Sequence, residues 1–308
     1  RDEIMLRIMH ENLMEILVFS FDLTEGFEAS ESKLGKMTYN HFEIQKLLKE
    51  QRVIKSLLHV LKTIDEDFIL QNLQLIKNSE SKISGVANVL KKHELGTKNG
   101  GKLEKKVDTV VLFELVNVTF KILRNAAKCN QENCLLLFQN IGCITKFLGL
   151  DTFAENCLME AFSSGAILEK LTAEHFQMIV EQYVKVLRVT NIQTESVFVL
   201  LKSLLRSRES TVGKNQLLLF ELFFRANNPL LVAFESTSPR IYVNKVELNS
   251  FCEDCPPVAE VFGQQVKLCA ELCLDRNYIC SKKMKQWFPL ECLLHYLVTK
   301  PIKNSVVK

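Results

Sequence analysis

The chain has 308 residues, 47% of them hydrophobic and 24% charged, which is too apolar for disorder and ample for one large core or two smaller ones. Its 39 Lys and Arg against 36 Asp and Glu leave a formal charge of +3, which by itself implies no polyanion-binding surface and no nucleic-acid partner. With only 11 Gly and 6 Pro, a β-sandwich or barrel would lack turn residues, so long helices with short links are expected.

The chain opens Arg1-Asp2-Glu3-Ile4, without the basic-then-apolar order of a signal peptide. It reads as if it began inside a helix, so a piece of a longer polypeptide is expected. Met5–Phe21 repeats its apolar residues every three or four positions, and Asp22–Thr38, with Gly26 and Gly35, reads as a polar link. From about Glu43 to Lys62 one amphipathic helix is expected. Leu47, Val53, Ile54, Leu57, Leu58 and Leu61 would share its buried side, and Lys46, Lys49, Glu50, Arg52 and Lys55 the wet one. A further helical piece near Asp67–Lys77 precedes the lysine-rich stretch Asn78–Lys106. There Gly100-Gly101 should break any helix, and a mobile insertion is expected at 78–106.

Helices then return in close order: Val110–Ala127, Asn133–Phe147, Glu155–Phe162, Glu174–Leu187, Ser196–Leu205 and Asn215–Phe224. Thr152 with Glu155 reads as a capping box, each side chain reaching the other's backbone amide. Thr172 before Glu174 reads as a hydroxyl cap with a carboxylate at the positive helix end. Such helices cannot bury an apolar stripe alone and must stack on one another, which is the logic of a solenoid with degenerate repeats. Near 240–248, Ile241, Val243, Val246 and Leu248 alternate, so a short extended segment is expected. Cys252–Pro257 reads as a turn, and Val258–Ile279 with Phe288–Val298 as another helix pair. No apolar run reaches the roughly 18 residues that span a bilayer. Leu217–Phe224 and Val110–Val118 are short and carry Glu221 and Glu114.

Most of the ten Cys lie in apolar helical stretches and read as small hydrophobes of a reducing compartment. Cys252-Glu-Asp-Cys255 lacks a second tight pair. Its neighbours Cys269, Cys273, Cys280, Cys292 and His295 fall mostly on apolar faces, so it reads as a turn with two thiols and no metal. The His residues at 10, 41, 59, 93, 175 and 295 sit beside no nucleophile; His175, at a helix start, suits a capping or surface role. Phosphate-loop, nucleophile-elbow, zinc-protease and dinucleotide fingerprints are all missing, so neither catalysis nor a cofactor is expected. The remaining lead is basic. Lys46 and Lys49 share a helix face, and Lys128 ends another helix, so ammonium groups could converge on a phosphorylated ligand. Solvated lysines are the plainer reading.

Three stretches carry a resemblance. Gln45-Lys-Leu-Leu-Lys-Glu-Gln-Arg-Val-Ile-Lys resembles the Q-K-L-M-R-E-Q-x-I-L-K helix of inositol trisphosphate receptors, the intracellular calcium-release channels to which ryanodine receptors are related. Cys129-Asn-Gln-Glu-Asn is similar to that family's K-N-Q-E-x, and leads to Leu150-Asp-Thr-Phe-Ala-Glu155, similar to G-x-D-V-L-A-E-D. Leu272-Cys-Leu-Asp-Arg-Asn-Tyr278 is similar to M-C-L-D-R-Q-Y. The resemblance, nearer to the inositol trisphosphate receptors, implies the armadillo-like homology (RIH) domain at 1–232. A linker and the start of the next helical region would follow at 233–308.

It also implies a non-enzymatic regulatory or ligand-sensing module on the cytosolic side of the endoplasmic reticulum or a related calcium store. The partners would be other domains and subunits of a tetrameric channel, with membrane contact through other parts of the protein. In the family, basic residues of the first stretch and a Tyr-Arg-Lys before the second form one wall of the inositol trisphosphate pocket, opposite a β-trefoil. Those positions are here Phe42, Lys46, Lys49, Ala127, Lys128 and Cys129, so only Lys46, Lys49 and Lys128 stay basic. Each lost charge-assisted phosphate contact costs roughly 1.5–3 kcal/mol, so weakened or lost ligand binding is expected. The competing expectation is an armadillo-like adaptor that grips peptides and has nothing to do with channels.

Overall fold

A computed structural model describes residues 11–14, 16, 43–65, 70, 100–190, 194–207, 211–224, 228–231, 234–237, 240–243, 246–247, 256–275 and 277–287. The expected helix at Phe288–Val298, all of the Asp67–Lys77 helix but Leu70, and all but a few residues of Met5–Phe21 lie outside them. Of the expected Cys252–Pro257 turn, Pro256 and Pro257 are instead helical, since proline suits a helix's first turn, and the rest lies outside. The chain packs as two units, Arg1–Ala161 and Phe162–Lys308.

In the first unit, α1 (43–50) and α2 (Val53–Thr63) replace the single expected helix. The break is Arg52, whose φ of 57° is left-handed. It rotates the apolar stripe, so Leu48 is buried while Leu47, assigned to the core from periodicity, is 43% exposed. Ile54, Leu57, Leu58 and Leu61 are buried as expected. Helix α3 (Gly100–Ala127) starts at the glycine pair expected to break it. The first turn has no intrahelical acceptors for its N–H groups, so glycine costs least there, and the apolar run that follows anchors the helix. The mobile insertion therefore cannot extend past residue 99; its remainder lies outside the described residues.

Helices α4 (Gln131–Gln139) and α5 (Ile141–Thr145) divide a stretch expected to be continuous, with Asn140 between them. Helix α6 (Ala154–Ala161) then packs on α3 and α4. Phe120 and Phe147 meet edge-to-face at 5.3 Å in a core shared with Ile144, Leu148, Cys157 and Leu158. At the expected capping box of α6 the Thr152 hydroxyl accepts from the Ala154 N–H at 3.4 Å, one residue before Glu155. Gly149, with φ 77°, donates its N–H to the Glu155 carboxylate at 2.7 Å. The Thr152 hydroxyl in turn donates to the Phe147 carbonyl at 3.1 Å. The left-handed turn, which glycine adopts without strain, aims the Gly149 amide at that carboxylate.

The second unit holds α7 (Gly165–Leu168), α8 (Ala173–Thr190), α9 (Ser196–Ser203) and α10 (Gly213–Phe223). Here α8 packs on α10, and Phe198 and Phe223 meet edge-to-face at 5.8 Å. Thr172 precedes α8 as expected, but its hydroxyl lies 2.8 Å from His175 Nδ1, and its N–H donates to the same nitrogen. His175 thus takes the reciprocal capping role that glutamate fills elsewhere. Of the expected extended segment at 240–248, the described residues form strands, within a three-stranded antiparallel meander of β1 (Phe234–Thr237), β2 (Arg240–Val243) and β3 (Val246–Glu247). Thr237 pairs with Arg240 and Tyr242 with Glu247.

Helix α11 (Pro256–Leu272) packs on α9, and α12 (Tyr278–Trp287) on α10. One helix was expected across Val258–Ile279; Asp275, at φ 53°, ends it instead. Apart from this small sheet the described fold is helical, of the armadillo-like class of paired and stacked helices. Among the described residues no helix is long and apolar enough to cross a membrane.

Candidate functional site

Helix α3 ends at Ala127, and Cys129 turns the chain left-handed at φ 57°. The last carbonyls of a helix have no partner within it, and here side chains supply them. Gln45 of α1, only 1% exposed, donates both amide hydrogens, to the Asn125 carbonyl at 3.0 Å and the Lys128 carbonyl at 2.7 Å. Its oxygen accepts from Asn130 Nδ2 at 3.1 Å. Asn130 also caps α4 by accepting from the Asn133 N–H at 3.1 Å. Asn133 and Cys134 complete the closure on the carbonyls of Ala126 and Ala127. This latch brings the first two recognisable stretches together.

Lys46 and Lys49 stand on the wet face of α1, and the Gln45 bond places the Lys128 backbone against the same helix. Neither α1 lysine is a bare cation. Lys46, 74% exposed, faces Glu50 at 3.7 Å, and Lys49 is ion-paired with Glu132. The Lys49 hydrogen bond and charge hold the Glu132 carboxyl below the usual carboxylate range. Ala127 is buried, and Cys129 is exposed in the turn. Phe42 lies outside the described residues.

Periodicity missed a longer feature beside this surface. Between α2 and α4 runs a cavity of about 340 Å³, lined by Arg52, Lys55, Ile54, Glu132, Leu135 and Leu136 among others. A second, about 300 Å³, continues it along Leu58, His59, Lys62 and Asn140, sharing Lys55 and Leu136. The i, i+4, i+7 spacing of Lys55, His59 and Lys62 was the signal available in the sequence.

Among the described residues the cysteines offer no second site. Burial pushes the Cys134 and Cys280 thiols up to about 11 and raises those of Cys143, Cys157 and Cys269 as well. They stay protonated at neutral pH and pack as hydrophobes. Among the described residues no group of His, Cys, Asp and Glu could hold a metal ion.

A family model for the RIH domain of ryanodine and inositol trisphosphate receptors matches residues 11–234. No curated protein matches the chain.

Proposed function

The chain belongs to the RIH domain family, and from that premise we propose that it is a non-enzymatic regulatory module of an intracellular calcium-release channel. We place it nearer the inositol trisphosphate receptors than the ryanodine receptors, on the cytosolic side of a calcium-store membrane. The order of the Gln45, Asn130 and Leu272 stretches supports that placement. Its role is to relay rearrangement between ligand-sensing and pore regions through packed helices, which shift as bodies and do not deform continuously. The partners are the other domains and subunits of the channel.

In this reading tight inositol trisphosphate binding has been lost. The observation that carries it is the pairing of Lys46 with Glu50 and of Lys49 with Glu132. A phosphate arriving at that face meets two carboxylates, and it must compete with one of them for each ammonium it engages. With Ala127 and Cys129 where the family has Tyr and Lys, Lys46, Lys49 and Lys128 are the residual contacts.

Calorimetric titration of the 308-residue chain with inositol trisphosphate tests the ligand reading. No saturable binding below the high-micromolar range is expected, and Lys46→Ala with Lys49→Ala should change nothing. Sub-micromolar binding abolished by that pair would restore the pocket. The channel reading has its own test: the polypeptide that carries this chain, purified from membranes and reconstituted into vesicles, should conduct calcium. Vesicles that hold the folded polypeptide yet stay impermeable would overturn it.

A further inference from the structure

We propose that the groove between α2 and α4 is a docking site for an acidic, amphipathic helical segment of a partner polypeptide. Four cations line it, Lys49, Arg52, Lys55 and Lys62, against the carboxylates Glu50 and Glu132. Both carboxylates are already engaged, Glu50 by Lys46 and Glu132 by Lys49. Among the described residues Arg52, Lys55 and Lys62 form no ion pair, so the cationic wall is uncompensated along most of its length.

Shape selects the occupant. The two cavities adjoin at Lys55 and Leu136, which line both, and Lys55, His59 and Lys62 rise along one exposed stripe of α2. At 1.5 Å per residue, that stripe covers roughly 10 Å from Lys55 to Lys62, about two helical turns. The opposite side adds apolar surface: Leu135 and Leu136 of α4 are half-buried there, above Ile54 and Leu58, between the polar Glu132, Gln139 and Asn140. A compact polyanion such as an inositol phosphate has no apolar surface to set against those leucines. A helix with leucines on one face and carboxylates every three or four residues on the next matches both walls. Charge complementarity of this kind raises the association rate and fixes register, and salt weakens it.

The inference shares only Lys49 with the ligand reading above, since Lys46 and Lys128 line neither cavity, and its test therefore acts on Lys55 and Lys62. The test is fluorescence anisotropy with a labelled Leu/Glu peptide of about 18 residues, long enough to form an amphipathic helix. A scrambled peptide of the same composition, a Gln-for-Glu version and inositol hexakisphosphate serve as comparison probes.

Saturable binding of the patterned peptide is expected. It should weaken about tenfold in the double variant Lys55→Glu, Lys62→Glu, and weaken as salt rises. Lys170→Glu, an exposed charge reversal in the second unit, should leave binding unchanged. Leu136→Ser should weaken the peptide without affecting hexakisphosphate. If the glutamate variant loses its helical circular dichroism, Lys55→Gln with Lys62→Gln takes its place. No binding to the wild-type chain, equal binding by the lysine variants, or equal binding of the scrambled peptide overturns the proposal. So does saturable hexakisphosphate binding that the lysine variants abolish while the patterned peptide fails to bind.

Discussion

The two units close a helix–turn–helix corner with the same device, though nothing in their local sequences looks alike. In the first, Gln45 donates to the carbonyls of Asn125 and Lys128, and Asn130 donates to Gln45 while capping α4. In the second, Gln216 of α10 donates to the carbonyls of Glu271 and Leu274 at 2.9 and 3.4 Å. There Asn277 donates to Gln216 Oε1 at 2.9 Å and accepts from the Cys280 N–H at 3.2 Å. Cys129 and Asp275 supply the left-handed residue of each corner. The second corner holds one more residue between its left-handed position and its cap, and Thr211 steadies it by donating to Asp275. One solution serves both because a buried helix end always presents unpaired carbonyls, and an amide side chain carries two donors and an acceptor to answer them. The repeat of this solenoid is therefore written in hydrogen bonds more than in hydrophobic period.

The strongest way to break the comparison is to remove the glutamines. Gln45→Leu leaves two carbonyls and the Asn130 amide without partners, at a cost of about 2–3 kcal/mol. Gln216→Leu, at a side chain also 1% exposed, should cost the same within about 1 kcal/mol. Hydrogen exchange should localise each loss, to residues 125–134 in one variant and 271–280 in the other. Costs that differ severalfold would mean that the two corners only look alike.

Removing the caps comes next. Asn130→Ala and Asn277→Ala each delete a cap and one latch bond, at about 1–2 kcal/mol by chemical denaturation. The left-handed residues follow, with the opposite sign. Cys129→Gly should stabilise the first corner by about 0.5–1 kcal/mol, since a thiol side chain gains nothing from φ 57°. Asp275→Gly should gain less, because aspartate tolerates that conformation and Asp275 would lose its bond to Thr211.

The comparison also explains what the sequence could and could not tell. Amphipathic spacing located most helices and the buried Ile54, Leu57, Leu58 and Leu61, because burial of a stripe is a local, periodic demand. It missed the breaks at Arg52, Asn140 and Asp275, where tertiary contacts hold backbone conformations that no glycine announces. Leu47 and Leu48 exchanged roles for the same reason. Gln45, Asn130 and Asn277 lay inside the recognisable stretches, yet only their charged neighbours drew notice. A side chain's bond to a carbonyl 80 residues away leaves no trace in local pattern. Of the latch residues, Gln45 and Asn130 match the motifs that carry the resemblance, whereas Asn277 stands where the family has Gln and Gln216 lies outside them, so only the first corner's latch contributes to it.

The smallest expected effect sharpens a difference between the units, since one of their helix starts titrates. Asn130 caps α4 with an uncharged amide. At α8, His175 Nδ1 accepts from the Thr172 N–H, which requires the neutral ring protonated on Nε2. Partial burial lowers the His175 pKa, opposed by the Glu174 charge. A histidine whose folded pKa lies below its unfolded value contributes stability that is complete above about pH 6.5 and fades as pH falls through the folded value. The ring is only partly buried, so solvent keeps the effect to a few tenths of a kcal/mol. Between pH 7.5 and 5.5 the amides of α8's first turn should lose exchange protection while those of α4 keep theirs. His175→Gln, which restores an acceptor that does not titrate, should flatten the α8 response. If acid softens both helix starts equally, His175 is not the group responsible.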